Sequence, residues 1–140
     1  MATAYGSKSS KRKSVEISVA NIAAAAADAG TIVIPAACAG YLDINASMGR
    51  VTTSIANATP VGTIVIQHTP SGGSASTVGT YTVANADDAG DLIVFVPASG
   101  YESGVNLAAG DTITVAHTQE TGGSAAGAVN VYVEFDMYKL

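Results

Sequence analysis

From Val129 to Tyr138 the chain alternates without a break, with Val129, Val131, Val133, Phe135 and Met137 on one side and Asn130, Tyr132, Glu134, Asp136 and Tyr138 on the other. Successive side chains of an extended backbone point to opposite faces, so this period of two predicts a strand with one dry face and one wet face. Val15, Ile17 and Val19, set between Ser14, Glu16 and Ser18, repeat the pattern near the start of the chain. Further strands are expected at about 32–35, 42–48, 50–56, 62–68, 77–83, 92–97 and 111–117, separated by Gly-rich turns. In the second of these, Leu42, Ile44, Ala46 and Met48 point one way and Asp43, Asn45 and Ser47 the other. Ala23–Ala27 is the one run with helical propensity, and Gly30 stands where a C-cap would end it after a turn or two. A strand with a single apolar face must bury it against a second layer, so the chain reads as all-β, an antiparallel β-sandwich.

Two phrases occur twice. Asp28-Ala29-Gly30-Thr31-Ile32-Val33-Ile34-Pro35, followed by Gly40-Tyr41, returns as Asp88-Ala89-Gly90-Asp91-Leu92-Ile93-Val94-Phe95-Val96-Pro97, followed by Gly100-Tyr101. Thr63-Ile64-Val65-Ile66-Gln67-His68-Thr69, followed by Gly72-Gly73-Ser74-Ala75, returns as Thr112-Ile113-Thr114-Val115-Ala116-His117-Thr118, followed by Gly122-Gly123-Ser124-Ala125. The alternating order fits two duplicated halves, and a jelly roll, built of two Greek keys, is the sandwich that accommodates them. Chance similarity in a chain rich in Ala, Gly, Thr and Val is the competing reading. Neither phrase contains an obvious reactive group, so the repeat describes a scaffold.

The chain has 140 residues, enough for one domain with a core of its own. Its charges are few and unevenly placed. Of 6 basic residues, Lys8, Lys11, Arg12 and Lys13 lie within one short Ser-rich stretch, leaving two basic against 11 acidic residues, a net of −9, in the remainder. Residues 1–13 therefore read as a flexible basic arm, and residues 14–140 as the sandwich domain. A cationic arm on an acidic body seeks an acidic partner or stays solvated. Four cations with no interleaved aromatic beyond Tyr5 and no helical pattern are a weak nucleic-acid signal, so a solvated or protein-docking arm is favoured and no nucleic-acid partner is expected. The basic run is followed by Ser14-Val15-Glu16-Ile17-Ser18 and not by an apolar stretch, and no segment approaches membrane-spanning length, so a soluble protein made in a cytosol, without a membrane partner, is expected.

Candidate chemistry is sparse. Asp87, Asp88 and Asp91 gather three carboxylates in a Gly-containing loop, which fits either a calcium site or, as favoured here, a strand-entry turn stabilised by side-chain to backbone bonds. His68 and His117 hold equivalent places in the second phrase. A pseudo-twofold axis would bring them to one rim as a pH-sensitive or metal-binding pair, but with no Cys, Asp or Glu beside either they read as strand-end residues. Cys38 has no partner for an intrachain disulfide and no adjacent base. Serines lie in loops without an elbow motif, so no catalytic residue, cofactor or metal is assigned and the chain is not expected to be an enzyme. Leu92-Ile93-Val94-Phe95-Val96 is apolar on both faces, which marks either a strand covered twice or a subunit interface. Low aromatic content implies a thin core completed by trimerisation, which assigns Leu92 to Val96 to the oligomer contact. Tyr132 and Tyr138, on the polar face of the closing strand, are expected as exposed aromatic contacts for a protein partner, since a sugar platform normally includes Trp, which the chain lacks.

The basic arm, the strand entry Leu107-Ala108-Ala109-Gly110-Asp111-Thr112-Ile113-Thr114-Val115, the Gly122-Gly123-Ser124-Ala125 loop and the closing Val129-Asn130-Val131-Tyr132-Val133-Glu134-Phe135 strand resemble the small β-sandwich decoration, or cement, proteins of tailed-bacteriophage capsids. The resemblance spans residues 40–140 and is one of style, without a recognised capsid-docking motif. It implies a structural virion protein: a homotrimer on the outer capsid surface, bound to the major capsid protein where capsomers meet. The arm would order on the shell, and strand 92–96 would form the trimer core. The alternative function is a receptor- or glycan-binding module of a phage fibre or tail.

The alternation in the closing strand sets a first test. Val133→Asp places an unpaired charge in the core and is expected to unfold a domain whose margin is about 5–15 kcal/mol. Glu134→Lys should leave the melting temperature nearly unchanged, and thermal melts that rank the two the other way would reverse the strand's register.

Overall fold

The computed structural model describes residues 10–22, 27–56, 62–83, 87–118 and 126–140. These form eleven strands: β1 Lys11–Val19, β2 Ala27–Val33, β3 Cys38–Leu42, β4 Met48–Ala56, β5 Thr63–Thr69, β6 Ser76–Thr82, β7 Leu92–Val94, β8 Val96–Pro97, β9 Val105–Leu107, β10 Thr112–His117 and β11 Ala126–Lys139. They make two antiparallel sheets. In the six-stranded sheet, β11 pairs with β1 along one edge and with β4 and then β3 along the other, while β7 flanks β4 and β9 flanks β3. The five-stranded sheet runs β2, β10, β5, β6, β8. The pairing is nested: β1 with β11, β2 with β10, β3 and β4 opposite the 92–107 region, and β5 with β6. That is the winding of a jelly roll, in which a long hairpin is rolled up and no strand pairs by a parallel crossover.

The core fills as the alternation requires. Val129, Val131, Val133 and Phe135 from β11 and Ile17 and Val19 from β1 face Ile64, Ile66, Ile113 and Val115 from the opposite sheet, all buried. Buried apolar area on this scale is the main driving term for a chain with only two phenylalanines and no tryptophan.

Residues 42–48 do not form the expected continuous strand. The chain breaks between β3 and β4, and Asp43 Oδ1 accepts the Ala46 N–H at 3.1 Å in a local turn of the kind Asp favours. The break interrupts the ladder beside Glu134 of β11, and two groups restore it. Asp43 N–H donates to the Glu134 carbonyl at 3.0 Å, and the Glu134 N–H donates to Ser47 Oγ at 3.0 Å, while that hydroxyl donates to the Asp43 carbonyl at 2.9 Å. Ser47 is fully buried. A buried backbone N–H must find an acceptor, and here the serine hydroxyl takes the place of a strand carbonyl.

The 92–97 segment is neither covered twice nor wholly at a surface. It crosses from one sheet to the other: β7 pairs with β4, Phe95 passes through the core, and β8 pairs with β6. Ile93 and Phe95 are buried, and Leu92, Val94 and Val96 are exposed. Two glycines make room for the crossing. A Cβ on Gly49 would lie 2.6 Å from the Ile93 side chain, and one on Gly79 would lie 2.9 Å from Ile44 and 3.6 Å from Phe95.

Other sequence expectations shift as well. The arm boundary expected at residue 13 falls inside β1, because Lys11, Arg12 and Lys13 pair with Met137, Asp136 and Phe135. Gly30 lies in β2 and caps no helix; residues 23–26 of the alanine run lie outside the described residues. The two copies of the second repeated phrase are β5 and β10, antiparallel neighbours related by a local twofold. The two copies of the first are not equivalent. Val33 is exposed and Ile34 buried, whereas Phe95 is buried and Val96 exposed, and a parity change of one residue turns every side chain to the other face.

Ser47→Ala removes the acceptor for the Glu134 N–H without opening a large cavity. A loss of roughly 1–3 kcal/mol in denaturant unfolding is expected, the cost of an orphaned buried donor. A loss below about 0.5 kcal/mol would show that this N–H has another acceptor.

Candidate interaction surface

The outward side of the six-stranded sheet follows directly from the register. Glu16 lies opposite Tyr132, Tyr132 opposite Met48 and Met48 opposite Val94, which makes one row across four strands. The adjoining row is Ser18, Asn130, Arg50 and Leu92. Directly opposite side chains on one face lie about 4.5–5.5 Å apart at Cβ, so Tyr132, Met48, Val94, Arg50 and Leu92 form one contiguous patch. Met48 is 42%, Leu92 60% and Val94 65% exposed, so this apolar surface faces solvent. Tyr138 lies on the same face, paired with Ala39 and half-buried, about 20 Å along the strand from Tyr132. Val96, 68% exposed, lies beyond the crossing and pairs with Thr80 in the other sheet. The structure therefore leaves Leu92, Val94 and Val96 exposed and Tyr132 and Tyr138, expected as exposed, half-buried, and it puts Ile93 and Phe95, expected at the oligomer contact, in the core. Met48 and Arg50 were missed because their neighbourhood only exists across strands.

The basic residues separate by role. Arg12 is occupied inside the fold: its Nε lies 2.9 Å from Asp136 Oδ1, and its guanidinium lies 3.3 Å from Asp43 Oδ2, tying β1, β11 and the β3–β4 turn together. Being partly exposed, these pairs are worth little each. Lys11 and Lys13 are exposed. Lys8 lies outside the described residues.

At one end of the sandwich a buried carboxylate collects the loops. Asp111, at the entry to β10, accepts the Ala108 N–H on Oδ2 at 2.9 Å, the Ser71 N–H on Oδ1 at 2.9 Å and the His68 Nε2–H on Oδ2 at 2.8 Å. Its backbone carbonyl accepts the Ile34 N–H at 2.9 Å, so β2, β5, the loop after β5 and the turn before β10 meet there. Burial pushes the Asp111 carboxyl up, but the bonds from Ala108, His68 and Ser71, together with the His68 charge, outweigh it and hold the group below its ordinary value of 3.8. Asp111 and His68 have the contact of an orienting acid and an imidazole, yet the carboxylate is used to bind three loops, and Ser71 contributes its backbone N–H to it.

His68 and His117 do not share a rim. The β5–β10 register sets His68 opposite Ile113 and His117 opposite Ile64, about 13 Å apart. His117 is buried on the core side of β10, and among the described residues neither ring nitrogen has a hydrogen-bond partner. The aspartate loop serves its strand: the Asp87 carbonyl accepts the Ile55 N–H, Tyr81 Oη–H donates to the Asp87 carboxylate, and Asp91 Oδ2 accepts the Asp88 N–H at 2.9 Å. Among the described residues no group of three or more His, Cys, Asp and Glu side chains converges as metal ligands do. Cys38 is buried in β3.

No family model matches the chain, and no curated protein matches it. Among solved structures, a chain from the structure of infectious bursal disease virus Gx strain superposes with 15% sequence identity and a TM-score of 0.38. The match covers 95% of this chain and 36% of that one, so this chain spans about a third of its length.

The Asp111 cluster predicts an acid limb. A carboxyl whose folded pKa is depressed contributes stability above its unfolded pKa, and that contribution is lost as pH falls through the folded value. Melting temperature should therefore drop as pH is lowered below about 4. Asp111→Asn should cost roughly 1–3 kcal/mol at neutral pH, because an amide nitrogen must meet one of the three donors. The variant should also show a shallower acid limb, and an unchanged limb in thermal melts at pH 3–7 would assign the acid sensitivity to other groups.

Proposed function

We propose that this protein is a structural component of a virion that docks on the capsid lattice through the outer face of its six-stranded sheet and reinforces the shell as an oligomer. One observation carries the reading: Met48, Val94, Arg50 and Leu92, all exposed, stand in adjoining rows with the half-buried Tyr132 on the outer face of one sheet. Aromatic residues, Met and Arg are the types enriched at the centres of protein interfaces, and a preformed sheet loses little freedom on docking. The resemblance to tailed-bacteriophage decoration proteins supplies the finer form of the proposal. The partner is then the major capsid protein, the place is the outer capsid surface, and the chain is made in the host cytoplasm. Lys11 and Lys13 stand in register with Met137 and Phe135, on the core side of β1, so their charge lies off the docking face.

No catalysis and no cofactor enter this mechanism. Each bound copy stabilises the assembled shell by its own binding free energy, and many weak contacts act together.

The test is attachment to particles. Antibody labelling of purified virions should place the chain on the outer surface, and Met48→Lys with Tyr132→Ala should weaken attachment at least tenfold while the melting temperature is kept. A chain absent from particles, or attachment untouched by both substitutions, would overturn the reading. Specific binding on a glycan array would favour a receptor-binding module instead.

A further inference from the structure

The strand edges of this sandwich are not equally protected. Edge strands expose unpaired backbone groups, and proteins guard them with charge, proline or bulges. The free edge of β1 carries Lys11 and Lys13. The pairing of β2 with β10 is bulged at Val115 and Ala116, and Pro35 follows the strand. In β8, Pro97 removes an N–H. The other two edge strands of the six-stranded sheet, β7 (Leu92-Ile93-Val94) and β9 (Val105-Asn106-Leu107), contain no charge, proline or bulge, but β9 buries Val105 and Leu107, whereas β7, which follows Asp91, exposes Leu92 and Val94.

The direction of the β7 backbone groups is fixed by its neighbour. Val51 N–H donates to the Asp91 carbonyl at 2.9 Å. Bonding alternates along an antiparallel ladder, so Ile93 also turns its backbone groups to β4, and the N–H and C=O of Leu92 and Val94 point outward. The same two residues expose their side chains.

We infer that β7 is where a second copy of this chain adds its own β7, antiparallel, to make one continuous sheet across two molecules. Self-complementarity of the exposed Leu92 and Val94 about Ile93 supports this occupant, and charge selects the direction. Pairing centred on Ile93 puts Leu92 opposite Val94 of the second copy, apolar against apolar, with the two Arg50 side chains at opposite corners. The acidic Asp88 and Asp91 of the two copies then lead away from each other. A parallel arrangement would set the two Asp91 carboxylates side by side, which is unfavourable. The exposed row also gains a continuation, since Tyr132, Met48 and Val94 run on into Leu92 and Arg50 of the second copy.

A contact of this kind is isologous and closes at two copies, in place of the three expected from composition. Three residues per side fall short of the roughly 800 Å² per partner of a standard interface, so the pair is weak in free solution. It gains where copies are held side by side on a lattice, a step that rests on the proposed function.

Two experiments test the pairing in the full chain. In a Cys38→Ala background, Leu92→Cys and Val94→Cys chains are oxidised separately and as a mixture. Opposed residues at a hydrogen-bonded pair lie about 5.5 Å apart at Cα, within disulfide range. The mixture should give several-fold more linked dimer than either chain alone; equal yields, or none, would overturn the register. Val94→Pro removes an outward N–H and leaves the β4 ladder intact. Sedimentation from about 10 µM to about 1 mM should show wild type associating and this variant monomeric with a similar melting temperature. A folded Val94→Pro chain that associates like wild type would overturn the pairing. Mixture-specific crosslinking in a chain that does not attach to virions would support the pairing and count against the proposed function.

Discussion

Strand β11 is hydrogen-bonded along both edges, to β1 on one side and to β4 and β3 on the other, and its inner side chains from Val129 to Phe135 are buried. The first strand of the roll therefore has its ladder partner at the far end of the chain, and β11 joins β3 and β4 to β1. Such nested, non-local pairing makes the fold a high-contact-order one, with most of its ladder bonds closing long loops. It also explains why a core with few aromatics suffices: each apolar residue of β11 is covered by the opposite sheet and flanked within its own.

Polar groups keep this arrangement single-valued at the points where the ladder fails. Ser47 and Asp43 supply the bonds that the β3–β4 break takes away from Glu134, and Asp111 gathers the donors left at the ends of β2, β5 and the turn before β10. Ser47 and Asp111 are buried groups with their partners in place, so each rigidifies the fold and is costly to remove by half. His117 is the contrasting case among the described residues, a buried ring whose nitrogens have no partner.

The surface follows from the same geometry. A strand that changes sheets at Phe95 can bury only alternate residues, so Leu92, Val94 and Val96 are left outside, and they make up half of the large apolar side chains the described residues expose, beside Val33, Met48 and Leu140. Register then sets two of them beside Met48, Arg50 and Tyr132. An apolar, partly aromatic face and an unguarded edge meet at one place, on the side of the sandwich proposed to carry its contacts.

Alternation alone determined that Val129–Tyr138 and Ser14–Val19 are strands, which side of each is dry, and that the whole is a two-sheet antiparallel fold, because side-chain direction in an extended chain is a local property. It also fixed the outward position of Tyr132 and Tyr138. The break at Asp43–Ser47 was hidden, since Leu42, Ile44, Ala46 and Met48 alternate as a strand would and only the bond to Glu134 makes the turn worthwhile. The repeated first phrase misled for a related reason: similar residues at β2 and β7–β8 take opposite burial, because parity is set by the neighbouring strands and not by the phrase. Arg12 looked free and is paired, Ile93 and Phe95 looked like surface and are core, and the Asp111 cluster joins segments forty residues apart. Those assignments belong to the tertiary structure, since each depends on which strands meet, and that is decided by the pairing of distant segments.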